Sequence, residues 1–398
     1  MKNNVLRLAM ILPDLNYGGI ENVACCMSRM FAKNGYEVFF FLNTYDKEKS
    51  FSHIGKIKMV PYKMWEPETK AYVLNMVTVM DQAYLLKKIK QKYKIDISIS
   101  FHPYNHILNI LSGCKDKKIL TVHEVTSKSA EHLGYFYYNK FFYKYLYKMA
   151  DKIITVSKYC KWDLVHNMHM DAKNIKVIPN AIDKERLHQV QEDLFSFDTD
   201  NIVVTIGRLE NDKQQWHILH AFQVVLKRYP DAVLIVVGEG NLKQYLISLA
   251  RKLQIEKNVV FTGFKKNVAN YLRIAKVLVL SSAAEAFPCV VQEALYVGVP
   301  IVVGDCEGGI QELISQRKVL KSNMWYYVDG GIISPKLTEN KTLKTTKEEK
   351  QMGEAIIELI KNEEKRKEIS NSCKRLATQY EEKNIEKKWM QLLRELLS

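Results

Sequence analysis

Apolar and polar positions alternate in blocks along this chain. A first apolar run, 5-VLRLAMIL-12, leads into the loop 13-PDLNYGG-19. Helical spacing follows through 20-IENVACCMSRMFAKNG-35, then a second run, 37-EVFFFL-42. Gly35 is placed to end the helix. Strands that are apolar throughout have both faces covered, so this βαβ unit predicts a parallel sheet with helices on either side. Further strands read at 96-DISIS-100, 118-KILTVH-123 and 152-KIITVS-157.

The segment 175-IKVIPNAID-183 closes this first series, and the polar stretch up to residue 201 reads as a linker. The alternation then restarts. Strands are predicted at 202-IVVTIG-207, 232-AVLIVVG-238, 258-NVVFTG-263, 276-KVLVLS-281 and 299-VPIVVG-304. Helices are predicted over 214–228, 241–253, 266–274 and 288–297. The pattern predicts two doubly wound α/β domains, residues 1–183 and 201–381, joined by a linker at 184–200. Thr346 and Glu349 have capping-box spacing. Ile385, Trp389, Leu392 and Leu396 form an apolar stripe on a closing helix, which predicts that residues 382–398 return to the first domain. No element is assigned to 316–345.

Length and composition agree with this division. A chain of 398 residues exceeds one core and suits two domains of about 200 residues each. The seven cysteines (25, 26, 114, 160, 289, 306 and 373) are scattered, with no C-x-x-C pair. Neither a zinc site nor a disulfide framework is indicated, and a reducing cytosol fits. No apolar run reaches membrane-spanning length. The N-terminal run carries Arg7 and lacks a small-residue cleavage site, so it reads as a strand and not as a signal peptide.

Charge is uneven. Residues 1–180 hold 27 Lys and Arg against 15 Asp and Glu, and the remainder holds 32 against 29. A basic first half suits an anionic partner, either a nucleic acid or an acidic membrane surface. No nucleic-acid-binding motif accompanies the charge, so the membrane is expected and nucleic acid is not. In 135-YFYYNKFFYKYLYKMADK-152, a regular helix would align Lys140, Lys144 and Lys148 in one row and Tyr137, Phe141 and Tyr145 in another. Rings beside lysines suit a membrane interface. An ordinary helix with a buried aromatic face would read the same way.

In open α/β sheets, ligands gather beyond the carboxyl ends of strands, and two such sheets predict a site in a cleft between them. Gly18 and Gly19 follow the first strand and open a helix, where backbone amides attract anions or merely make a tight turn. Arg208 and Lys213 follow the first strand of the second domain and suit a diphosphate, or form a solvated charged loop. In 285-EAFPCVVQE-293, Pro288 suits the first turn of a helix. The amides of Cys289 and Val290 would then be left for a ligand. Glu285 precedes this helix and Glu293 lies inside it, and carboxylates accept from the paired hydroxyls of a sugar or ribose. His123 and His102 end strands of the first domain and are either structural or candidates for contact with substrate. Asp198 and Asp200 form a D-x-D that reads as solvated linker, so no metal site is expected.

Taken in order, these segments resemble the family 4 retaining glycosyltransferases of GT-B fold. The set comprises the Gly-Gly loop, the histidine at 123, "VIPNAID", "GRLENDK", "VVGEG", "FTGF", the Glu-x7-Glu segment and "VGVPIVVGD…GGIQELI". It spans residues 5 to 315, with the helical tail usual in that family. The resemblance implies two domains facing a cleft and a C-terminal helix crossing back to the first. It implies that Arg208 and Lys213 hold the donor diphosphate, Glu285 contacts the transferred sugar and Glu293 binds the ribose. Backbone from Phe287 through Pro288 and Cys289 to Val290 would cradle sugar and phosphate. The base would lie near Gly263 and Phe264, Gly19 would approach the β-phosphate, and His123 would reach the sugar from the acceptor side, with His102 a second acceptor-side candidate.

The implied reaction moves a hexose or N-acetylhexosamine from a nucleotide sugar, with UDP expected, to a lipid-linked or surface polysaccharide. No metal or other cofactor is required, and the enzyme would be cytoplasmic and peripheral on the inner membrane face. A sugar-nucleotide epimerase of similar architecture is the alternative. Ala286 stands where the family usually has Gly, and Cys289 where many members have Asn, which bears on donor identity.

Overall fold

The computed structural model describes residues 5–16, 18–48, 50–60, 76–133, 140, 142–188, 197–316 and 322–398. The chain divides into two compact units, Met1–Ala181 with Glu382–Ser398, and Ile182–Glu381.

The strands of the first unit are β1 (Arg7–Leu12), β2 (Glu37–Leu42), β3 (Lys56–Met59), β4 (Ile97–Phe101), β5 (Lys117–Val122), β6 (Lys152–Thr155) and β7 (Ile175–Val177). They form one parallel sheet in the order β3-β2-β1-β4-β5-β6-β7. The chain runs outward from β1 to β3, then returns to β4 on the other side of β1. The carboxyl ends of β1 and β4 therefore flank the point where strand order reverses, the favoured ligand position in such sheets. Side chains of β1 from Leu8 to Leu12 are buried, as continuous apolar character requires.

The closing helix Glu382–Leu397 belongs to this unit. Ile385, Trp389, Leu392 and Leu393 are buried, and Trp389 meets the Phe31 ring edge to face at 5.7 Å. Leu393 takes the place expected for Leu396, which is only half-buried. Glu386 accepts from the Asn34 side chain at 2.9 Å, and Lys176 pairs with Glu395.

The aromatic and lysine-rich segment departs from a regular helix. A π-helical turn spans Phe142–Leu146, followed by a 3-10 turn over Tyr147–Met149. Tyr143 and Tyr147 are buried with ring centroids 4.4 Å apart. Tyr145 is exposed between Lys144 and Lys148, whose ammonium groups lie 5.4 and 5.9 Å from its centroid. The buried aromatic row is thus the Tyr143 row. Tyr137 and Phe141 lie outside the described residues.

The second unit contains β8 (Ile202–Ile206), β9 (Val233–Val237), β10 (Val259–Gly263), β11 (Val277–Leu280), β12 (Ala284–Glu285), β13 (Ile301–Gly304), β14 (Glu307–Gly308), β15 (Tyr326–Val328) and β16 (Gly331–Ser334). Its main sheet runs β10-β9-β8-β11-β13-β16-β15, with only β15 antiparallel among the described strands. β12 and β14 make a separate two-stranded pair. The hairpin of β15 and β16 lies within 316–345, where the sequence pattern assigns no element. Its turn is Asp329-Gly330, a strong short-range hairpin signal. The capping box at Thr346 and Glu349 is present, and Glu349 also bonds His217 Nδ1 at 2.7 Å.

Candidate active site

The second unit brings together Lys213, Glu285 and Ser282 at the carboxyl ends of β8 and β11. The loop after β8 lies directly against the loop after β9. Leu209 N donates to Glu239 O at 2.8 Å, and a Cβ at Gly238 would stand 1.9 Å from Gly207 O. Only glycine permits that approach, which gives the segment "VVGEG" a packing role. Beyond it, a 3-10 turn over Asn211–Lys213 is tied to the strand end opposite. Ser281 Oγ donates to Lys213 O at 2.9 Å, and Ala283 N to Asp212 O at 2.9 Å.

These ties place Lys213 Nζ 2.8 Å from Glu285 Oε1, which also accepts from Ser282 Oγ at 2.7 Å. Asp212 lies 3.4 Å from the same ammonium. Burial alone would lower the Lys213 pKa, but Glu285 and Asp212 outweigh it and hold the ammonium above its ordinary value. Lys213 is therefore a fixed cation. Arg208 is placed differently. Its side chain is two-thirds exposed, 2.7 Å from Glu210 and 3.8 Å from Asp212. It shares Asp212 with Lys213, and its own charge works weakly against that ammonium.

Glu285 is held from its backbone as well. β12 pairs with β14, so that Glu285 sits opposite Gly308, and its carbonyl accepts from Gly309 N at 2.8 Å. Gly308 has φ of +134°, and a Cβ there would lie 1.9 Å from Glu285 O. Both the left-handed backbone and the close approach demand glycine. The Gly308-Gly309 pair was visible in the sequence, but its partner was not.

The helix after β12 spans Cys289–Val297, one residue later than expected, with Pro288 as N-cap and no capping side chain. Pro288 C=O accepts from Val291 and Gln292 N. Cys289 and Val290 are half-buried. Phe287 points into the core, its ring edge to face with Tyr380 at 5.3 Å. Only its backbone is placed to serve a ligand. At the end of β10, Gly263 has φ of +73°, and the neighbouring Phe264 ring is exposed.

Glu293 is buried in this helix and forms an ion pair with Arg186. Burial raises the Glu293 pKa, and Arg186 opposes the rise. Arg186 lies in the stretch read as a polar linker. In the structure that stretch begins with the helix Lys184–His188, where Arg186 and Leu187 are buried. Nothing local marks Arg186, because one arginine among polar residues has no period. Asp198 and Asp200 are exposed. Among the described residues, no three His, Cys, Asp or Glu side chains form a metal-binding group.

In the first unit, Gly18 is the N-cap of the helix Gly19–Lys33, again without a capping side chain. The Glu21 carboxylate covers this end: a Cβ at Gly18 would be 2.1 Å from Glu21 Oε2. The end expected to attract a phosphate thus already faces a carboxylate of its own chain. His102 Nε2 is 3.4 Å from Glu21 Oε1, and His102 holds φ of +67° at the start of the helix Pro103–Leu111. Burial raises the Asp14 pKa nearby. His123, after β5, stacks on Phe101 at 5.5 Å. Burial chiefly, and His102 secondarily, push its pKa down to about 3. It is a neutral imidazole, and its buried Nε2 has no hydrogen-bond partner among the described residues.

Two family models cover nearly all of this chain, one for each series of strands. The model described as "Glycosyltransferase Family 4" matches residues 17–186, and "Glycosyl transferases group 1" matches 188–376. The chain belongs to the group 1, family 4 glycosyltransferases. The glycosyltransferase is 27% identical to an uncharacterised glycosyltransferase of Methanocaldococcus jannaschii, over 85% of this chain and 89% of that one. It is 23% identical to the Campylobacter jejuni GalNAc-alpha-(1->4)-GalNAc-alpha-(1->3)-diNAcBac-PP-undecaprenol alpha-1,4-N-acetyl-D-galactosaminyltransferase, over 98% and 99%. HepE of Anabaena, solved in complex with UDP and glucose, matches with a TM-score of 0.71 at 15% identity, over 98% and 99%. The fold of this glycosyltransferase is GT-B, with two doubly wound halves. Its second unit offers a fixed cation, a carboxylate bonded to it and a helix N-terminus without a capping side chain, a set that can bind an anion beside a hydroxylated group.

Proposed function

We propose that this glycosyltransferase moves a hexose or N-acetylhexosamine from a UDP-sugar to a lipid-linked glycan, with retention of configuration and without a metal. The observation that carries the reading is the Lys213–Glu285 pair just before the helix Cys289–Val297, whose N-cap Pro288 brings no capping side chain. Lys213 and the helix end neutralise the departing diphosphate, with Arg208 turning in from solvent to join them. Glu285 accepts from sugar hydroxyls, Glu293 from the ribose, and Phe264 stacks on the base. His123, neutral throughout the physiological range, donates to or accepts from a sugar hydroxyl. It does not serve as a general acid. The acceptor oxygen bonds to the anomeric carbon as the bond to the diphosphate breaks on the same face, and the acceptor proton passes to the leaving phosphate.

The C. jejuni relative is named for an undecaprenol-linked acceptor, and HepE was solved with UDP, which supports these choices of acceptor and nucleotide. A peripheral site on the inner membrane face fits the exposed Lys140, Lys144 and Lys148 with Tyr145 and Met149. No helix of the described residues is long and apolar enough to cross a membrane.

The test is release of nucleoside diphosphate from a panel of UDP- and GDP-sugars, with and without undecaprenyl-diphosphate glycans. Lys213→Ala and Glu285→Ala serve as controls. Acceptor-dependent release, lost in both variants, is expected. Full turnover in the variants would overturn the site, and donor consumption without acceptor would point to an epimerase.

A further inference from the structure

We propose that Arg186 is a positioning residue for the donor nucleotide, anchoring one oxygen of the Glu293 carboxylate so that the other accepts from the ribose. The inference rests on the reading of Glu293 as the ribose acceptor and adds the part that holds it. Arg186 Nη2 is paired with Glu293 Oε1, and Nη1 donates to Lys266 O at 3.2 Å. The backbone is fixed in turn. Arg186 N donates to Asp183 Oδ1 at 3.2 Å, and Arg273 Nη2 donates to Leu187 O at 2.7 Å. Tyr296, one turn along from Glu293, bonds His188 at 2.9 Å. The short helix Lys184–His188 is thereby moored to the helix carrying Glu293 at both its arginine and its histidine.

A buried ion pair is poor evidence for stability, since desolvation of both partners offsets their attraction. Its stronger consequence is geometric. A guanidinium held by a backbone carbonyl fixes where the carboxylate oxygen bonded to it sits, and an ionised carboxylate keeps further lone pairs for a second donor. The electrical consequence follows from burial. Glu293 is 6% exposed, so without a cation it would bind a proton at a higher pH. The balance at Glu293 is made by burial, then Arg186, with Asp183 adding a weaker negative charge. Arg273, on the helix Ala269–Ile274, is turned to Asn270 and the Leu187 carbonyl. Lys374, on Glu363–Ala377, lies by Gly298 at the far end of the Glu293 helix, and the helix Ile310–Ile314 brings Glu312. None of these three enters the balance. Arg186 is therefore the cation that opposes protonation of Glu293.

The experiment measures the ratio of affinities for UDP and 2′-deoxy-UDP, by calorimetry from pH 5.5 to 8.5. GDP and 2′-deoxy-GDP are used in parallel. Wild type, Arg186→Gln, Arg186→Lys and Glu293→Gln are compared as full chains. Wild type should prefer the ribonucleotide by roughly tenfold or more, the scale of a hydrogen bond to a charged group. Arg186→Gln should lose that preference at the acid end and regain part of it as pH rises, because the carboxylate ionises only at higher pH. Arg186→Lys should retain part of it throughout.

A merely structural role would weaken both nucleotides equally and leave the ratio unchanged, so a partly destabilised variant remains informative. If Glu293→Gln loses the preference and Arg186→Gln keeps it at every pH, the role of Arg186 is refuted while the ribose reading stands. If Glu293→Gln keeps the preference, or wild type shows none, the ribose reading falls and the role of Arg186 with it.

Discussion

Replacing Gly308 by alanine is the sharpest test of how Glu285 is held. The new Cβ would stand 1.9 Å from the Glu285 carbonyl oxygen, and real Cβ contacts essentially never fall under 3.0 Å. The two short strands must therefore part by about 1 Å, the scale of misplacement that costs on the order of a hundredfold in rate when a reacting group moves. The atom displaced belongs to Glu285 itself, whose side chain meets Lys213 and Ser282. Gly308 also has φ of +134°, so alanine adds backbone strain of about 1–3 kcal/mol. In a unit of this size that lowers the melting temperature by roughly 2–10 °C. Steady-state release of nucleoside diphosphate, with kcat and donor KM determined separately, reads the first effect, and calorimetric melting reads the second. A variant that keeps wild-type kcat would refute the claim that this contact positions a catalytic carboxylate. An unchanged melting temperature would refute the clash itself.

Two further outcomes follow from electrostatics. His123 has a pKa near 3 in the folded chain against about 6.5 when unfolded, so the unfolded state binds its proton first. Its contribution to stability is whole above about pH 6.5 and falls away as pH drops toward about 3. Urea midpoints at pH 7 and pH 5 should differ less in His123→Asn than in wild type, and equal differences would refute the buried neutral state. On the proposed membrane face, Lys144→Glu with Lys148→Glu should weaken binding to phosphatidylserine vesicles. Each lysine near an anionic surface is worth about 1 kcal/mol, or roughly fivefold. Sedimentation with vesicles that shows no change would remove this segment from the interface.

Much of the architecture was legible locally. The runs at 7–12, 37–42, 202–206, 233–237 and 277–280 are strands in the structure, because a strand covered on both faces must be apolar throughout. The capping box at Thr346 and the returning helix with Ile385 and Trp389 were legible too, since each depends on residues within a few turns. The turn Asp329-Gly330 is a local signal too, but the strands it joins, Tyr326–Val328 and Gly331–Ser334, are too short for periodicity to mark them. The identity of the buried aromatic row was not legible, because Tyr143 and Tyr145 are chemically alike and only the surroundings choose between them.

The sequence by itself determined two doubly wound halves and which residues stand at strand ends, since periodicity and chain reversal are properties of neighbours. Only the tertiary structure decided which of those residues act on one another. Lys213 and Glu285 are 72 residues apart, and Arg186 and Glu293 are 107 apart. Read singly, each is a charge awaiting a ligand. Folded, each meets a partner, because a buried charge costs too much to leave unpaired. Which carboxylate falls to which cation is set by strand order, and no local pattern encodes that.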